Sequence, residues 1–383
     1  MADSHTLPDF SLVRGGPFFE LERGLRIIRP PGFNAVWAAV SVTLVTWVPL
    51  MLLALLQGPE STRLLFSELQ VHAELLLSLP VIVAAEPYID CRVCVAARQF
   101  LRANLVEDRS RESFEACARS LTRWRDARSI ELMLLGIVIA LAIVSPPDPA
   151  REWFFVSDPT PRLSLPGGWY QCVSQPLVRF LAFRWAWRAI VWGVFLLRVS
   201  RLPLRLVPTH PDQSGGLGFL SICQGSFAPV VFAVAVPVAA YSFRTNASAI
   251  TQTPLEYIMP QVLYAVLACI AVFAPLGFFS WQLVHAKRQG DPWFSAVAAH
   301  HSRRFEDKWF RRAPDADPLG SPDFSSLADL GTSFMVARRM KLFPWDQRSL
   351  LSVAVAATAP LIILLIFDRQ FLAVVHQLRQ SVS

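Results

Sequence analysis

The sequence predicts an all-α fold: a polytopic transmembrane helical bundle of about seven spans, with helical extensions on its cytoplasmic side. Three observations predict it. Of 383 residues, 53% are hydrophobic and 17% charged, against about 25% charged in an ordinary soluble domain. The apolar residues gather into runs. Residues 32–59, 213–243, 257–286 and 349–367 contain no Asp, Glu, Lys or Arg, and about 20 such residues cross a hydrocarbon core about 30 Å thick. Finally, the basic residues are one-sided. With the N-terminus inside and seven crossings, the outer segments hold only Arg63, Arg151, Arg162, Arg244, Arg369 and Arg379, and the fourth span holds Arg179, Arg184 and Arg188. The other 27 of 36 fall on the cytoplasmic side, as Lys and Arg do in inner-membrane proteins. The formal charge of +7 is therefore a topology signal, and nucleic acid is not an expected partner.

Each element follows in order. Residues 1–34 form a cytoplasmic N-terminal segment with no apolar signal-peptide core. Within it, 15–28 carries apolar residues at helical spacing between arginines and is expected to lie along the inner surface. The transmembrane bundle occupies 35–284, with spans at about 35–56, 72–90, 130–146, 177–197, 218–243 and 257–284. Between the second and third spans, 91–129 contains nine arginines and places Phe100, Leu101, Leu105, Phe114, Leu121 and Trp124 at helical period, predicting a cytoplasmic helical hairpin. The outer loop 145–176 is rich in Pro, Trp, Phe and Tyr, residues suited to the membrane interface. A cytoplasmic helical segment, 285–348, is expected to hold an amphipathic helix over 292–311. A second helix is expected over about 324–340, capped by Asp323. The last span and C-terminal tail take 349–383. No internal repeat supports an inverted-repeat transporter plan.

Charge inside the membrane is the first chemical signal. Arg184 and Arg188 are one turn apart on one helix face, while Glu74, Glu86 and Asp90 lie in or beside the second span. A charge at bilayer depth costs at least about 2.5 kcal/mol on insertion scales and needs a partner. The fourth span should therefore pack near the second, with Arg184 or Arg188 close to Glu86. Arg184, Arg188, Glu86 and Asp90 could line a polar pathway, or the pairing could simply fix helix register. Pro80 and Pro87 each remove a backbone donor from the second span.

Two loops are further candidates. In His210-Pro-Asp212-Gln-Ser-Gly215-Gly216-Leu-Gly-Phe, a glycine-rich turn precedes a helix N-terminus, which could hold an anion or phosphate; a capped turn is the plainer alternative. Gly320-Ser-Pro-Asp323-Phe-Ser-Ser-Leu-Ala-Asp329-Leu is the other. If these loops converge, His210, Asp212, Asp323 and Asp329 could serve an enzyme acting on a lipid or lipid-linked phosphate as acid–base or metal-binding groups. Cys91 and Cys94 form a CxxC without the further ligands zinc requires, so no metal or other cofactor is expected.

HPDQSGGLGF, Glu86-Pro-Tyr-Ile-Asp90 and GSPDFSSLADL resemble a family of uncharacterised bacterial multi-pass inner-membrane proteins. The resemblance extends over most of the chain from the second span onward. It implies a bacterial inner-membrane location and carries over no catalytic residues. The expected partners are the lipid bilayer, an ion or small solute, and a second copy of the chain. The leading expectation is a channel or transporter-like oligomer; a scaffold or sensor for a cytoplasmic partner and a membrane-embedded enzyme are the alternatives.

Overall fold

The computed structural model describes residues 10–24, 35–145, 151–156, 162–247, 254–311 and 321–367. Among these, helix accounts for nearly all regular structure. The helices are α1 (Pro17–Gly24), α2 (Ala35–Gln57), α3 (Pro59–Phe66), α4 (Leu69–Arg102), α5 (Arg111–Arg125), α6 (Arg128–Val144), α7 (Leu165–Val199), α8 (Gly218–Gly225), α9 (Ala228–Ala247), α10 (Pro254–Phe273), α11 (Ser280–Glu306), α12 (Pro322–Arg338) and α13 (Gln347–Phe367). A two-residue antiparallel ladder joins β1 (Phe155–Val156) to β2 (Arg162–Leu163).

Six helical runs are long and apolar enough to cross a membrane: α2, α4, α7, α8 with α9, α10 with α11, and α13. The pair α5–α6, bent by 41°, makes a seventh if taken as one span. The chain is thus an all-α multi-pass bundle. Three of these runs, α4, α7 and α10 with α11, overrun the lengths read from hydropathy. At about 1.5 Å per residue, the 34 residues of α4 reach about 50 Å, well beyond a hydrocarbon core of about 30 Å.

Proline shapes the two central helices. A wide π-helical stretch, Ala73–Ser78, precedes Pro80 in α4, and another, Tyr170–Ser174, precedes Pro176 in α7. A proline ring clashes with the carbonyl four residues back and cannot bond to it. A π-turn shifts the hydrogen-bond register just there, so both helices continue through the proline.

Contacts define two ends of the bundle. Where α4 finishes, Leu105 accepts a bond from Arg205 N at 2.8 Å and Val106 bridges Leu204. Arg198 of α7 reaches Ser120 of α5 at 2.8 Å. Phe100, Phe114, Phe195 and Phe279 interlock there, with ring centroids 5.7–6.5 Å apart between neighbours. This basic end gathers Arg98, Arg102, Arg109, Arg119, Arg123 and Arg205. At the opposite end Leu165 N donates to Gln57 Oε1 at 2.8 Å, beside β1 and β2.

Two sequence expectations need correction. The helix expected to start at Pro292 starts at Ser280 and runs through Pro292. The next helix is capped by the Ser321 hydroxyl, which accepts from Asp323 N; Asp323 is inside the first turn. The fifth span keeps its expected bounds and is interrupted at Ser226 and Phe227. Residues 25–34, part of the N-terminal surface segment, lie outside those described.

Candidate functional site

Glu86 on α4 meets both arginines of α7. Its Oε1 accepts from Arg188 Nη1 at 2.8 Å and from Arg184 Nη1 at 3.2 Å. Arg184 Nε also lies 3.6 Å from Glu131 Oε1 at the start of α6. All three central residues are sealed, Glu86 at 1% exposure and each arginine at 3%. The sequence places one arginine beside Glu86; the structure places both. Aromatic faces complete the cage: Phe18 stands 4.7 Å from the Arg184 guanidinium and Trp185 stands 5.0 Å from that of Arg188. Such faces attract a cation through their quadrupole.

Glu131 is the residue sequence reasoning missed. It is the sole charge between Ser129 and Val144, which was the available signal. Its Oε2 accepts from Phe18 N at 2.8 Å, anchoring α1. Gly16 makes this approach possible, with φ at +87° and the Glu131 carboxylate 2.6 Å from where a Cβ would sit.

Asp90, one turn after Glu86, is buried against the N-terminal segment and makes its contacts there, not with the arginine pair. Its Oδ1 accepts from Ser11 Oγ at 2.8 Å, Leu12 N at 2.7 Å and Val13 N at 3.3 Å. Phe10, Leu12 and Val13 are buried as a result, and Phe10 packs 5.0 Å from Phe195. The segment from Phe10 through α1 thus closes over the charged cluster.

A second buried polar group sits at the opposite end of the α4–α7 seam. Glu74 accepts from Gln70 Nε2 at 2.9 Å and Tyr170 Oη at 2.5 Å, and Gln70 accepts from Arg151 at 2.8 Å. Glu74 and Tyr170 each lie in one of the two π-stretches. Regular α-helix on either side would aim these side chains elsewhere.

The glycine-rich turn is already occupied by its own carboxylate. Asp212 accepts from Ser214 N at 2.8 Å, Gly216 N at 3.1 Å and Gly218 N at 2.8 Å, with His210 Nδ1 at 2.8 Å. Gly215 and Gly216 hold φ at +65° and +97°, which is costly for any residue with a Cβ. Here the capped-turn alternative is the one realised. Asp323 instead bonds Lys308 and Trp309 across the α11–α12 hairpin, and the Lys308 ammonium holds its carboxyl below the usual range. Asp329 is exposed. A groove at the basic end takes in His210 and Asp212 but neither Asp323 nor Asp329, so the aspartates of the enzyme alternative do not share a site. Among the described residues no group of His, Cys, Asp and Glu is placed to hold a metal ion. No protein-family model, curated protein or solved structure matches the chain.

Proposed function

We propose that this is a bacterial inner-membrane protein, its N-terminus cytoplasmic, that passes an ion or small solute along the α4–α7 seam. In this reading the conformation described above is the closed one. The observation that carries it is the sealed Glu86–Arg184–Arg188–Glu131 cluster. Well-packed apolar side chains of the same volume are often as stable as a buried ion pair or more so. Charges retained at membrane depth commonly mark ion or substrate routes. The N-terminal segment, bonded to Asp90 and Glu131, acts as the plug.

Reconstitution into liposomes tests this. Deleting residues 1–24 is expected to raise proton, potassium or chloride flux severalfold over the intact chain, and Glu86→Gln in the deleted background to abolish the gain. Silence of both the intact and the deleted protein under every imposed gradient rejects transport.

A second reading, a scaffold or sensor, is favoured by the α11–α12 hairpin. Its helices pack on each other and leave Trp293 of α11 exposed at 71%, with Phe310, in the π-helical stretch Asp307–Arg311 that follows α11, exposed at 78%. Crosslinking in whole cells should yield an adduct through this hairpin that Phe310→Ser together with Val297→Ser removes. An unchanged crosslinking pattern counts against the scaffold.

A further inference from the structure

Opposite its Glu86–Asp90 face, α4 turns Tyr88, Arg92 and Gln99 toward a different feature. With the His210–Gly218 turn, α8 and the start of α13, they wall a groove of about 890 Å³ at the basic end. Three chain regions far apart in sequence build it, and its Glu86-free lining makes it independent of the transport reading.

The charges of this groove are unevenly spent. Its two carboxylates are both consumed by backbone donors: Asp212 by the turn described above, and Asp346 by Arg348 N at 3.1 Å and Ser349 N at 3.3 Å. Its three cations are Arg92, Lys341 and Arg348. None has a carboxylate within ion-pairing distance among the described residues. Arg92 lies 5.5 Å from the Tyr88 ring, and the Lys341 ammonium 5.8 Å from that of Trp345. Lys341 also donates to Trp345 O at 3.1 Å, which steadies it without neutralising it. Cations held by neutral partners keep their donors available for an anion, and charge-assisted bonds to phosphate are the strong kind for Arg and Lys.

The remaining wall is apolar. Phe219, Ile222, Ala228 and Pro229 line it, and Ile222 is exposed on the outside of α8. Both α8–α9 and α13 are long and apolar enough to cross a membrane, and the groove lies where each of them begins, so a basic rim adjoins an apolar flank. An anion with an apolar portion fits both surfaces at once.

We propose that this groove is a binding site for a phosphate monoester, held by Arg92, Lys341 and Arg348, with any attached acyl chains lying along Phe219 and Ile222. The shared chemistry is the phosphate group. Its source is either a lipid headgroup or a soluble phosphorylated compound.

The test uses the full chain in detergent. Dioleoyl phosphatidic acid is titrated against dioleoyl phosphatidylcholine by native mass spectrometry, and glycerol 3-phosphate is added as competitor. Retention of phosphatidic acid over phosphatidylcholine is expected. Each of Arg92→Gln and Arg348→Gln should weaken it by about tenfold or more, the loss of one charge-assisted contact. Arg303→Gln on α11, away from the groove, should leave it unchanged. Competition by glycerol 3-phosphate assigns the site to soluble phosphates; phosphatidic acid retained against that competitor assigns it to lipid. Lys341→Gln supplies a third variant if either arginine variant unfolds. Equal retention of both lipids together with no glycerol 3-phosphate binding, or equal affinity in the groove variants and the Arg303 control, overturns the proposal.

Discussion

Glu86→Ala should be among the most destabilising single substitutions in this protein, costing about 3–5 kcal/mol, the range for removing one partner of a buried pair. The reason is arithmetic of charge. Glu86 answers both Arg184 and Arg188, and each guanidinium is almost wholly buried. Without it, Arg184 keeps the 3.6 Å contact to Glu131 while Arg188 faces Trp185 alone among the contacts named above. Thermal unfolding in detergent measures the loss. Replacing Glu86, Arg184 and Arg188 together by methionine removes the charge imbalance and should restore most of the stability. The triple variant also separates the two roles of the cluster. A register staple leaves flux unchanged once stability returns, whereas a pathway loses flux in a stably folded protein. A Glu86→Ala protein as stable as the parent would mean that these charges are not buried as described.

That cluster was legible in the sequence because charge in an apolar run is both rare and costly, so a partner can be inferred before it is seen. Glu131 carried the same signal more weakly, being close enough to Arg128 to read as the edge of a span. The capped turn around Asp212 was one of the readings its glycine-rich sequence offered, but the role of Asp90 was not legible, and the reason is chemical. Asp90 binds backbone N–H groups of a segment far away in the chain, which every residue but proline carries and no side-chain pattern reports. The cap of α12 was recoverable: Pro322 favours the first helical position, which points to Ser321 over Asp323 as the capping residue. The start of α11 was not, since a mid-helix proline and a helix-opening proline look alike until the preceding turn is known to be helical. The phosphate groove was illegible for a different reason. Arg92, Lys341 and Arg348 each sit in a basic segment where topology already accounts for positive charge, and only the packing of α4, α8 and α13 separates them from the rest.

Asp90→Ala should release the N-terminal segment, and Cys94 can report it. The Asp90 carboxylate collects Ser11 Oγ, Leu12 N and Val13 N, and the same Ser11 hydroxyl accepts from Val13 N at 3.1 Å and Arg14 N at 2.8 Å. Removing the carboxylate strips acceptors from buried backbone donors, each worth about 1–3 kcal/mol when left unsatisfied. Burial of Phe10, Leu12 and Val13 cannot offset that if the turn between them no longer closes. Cys94 donates to Phe10 O at 2.7 Å, so its thiol lies under the segment. In a Cys91→Ser background, maleimide labelling of Cys94 is expected to rise by about tenfold or more in Asp90→Ala, corresponding to a shift of at least about 1.4 kcal/mol in the docking equilibrium. Asp90→Asn retains one acceptor oxygen and should fall between. Ser11→Ala, which leaves the carboxylate to Leu12 N and Val13 N, should show the smallest rise. If the transport reading holds, flux should increase in the same order as labelling, because both follow the fraction of molecules whose N-terminal segment has left the Glu86 cluster. Labelling that rises without any change in flux would make the segment a packing element and leave the cluster without a gate.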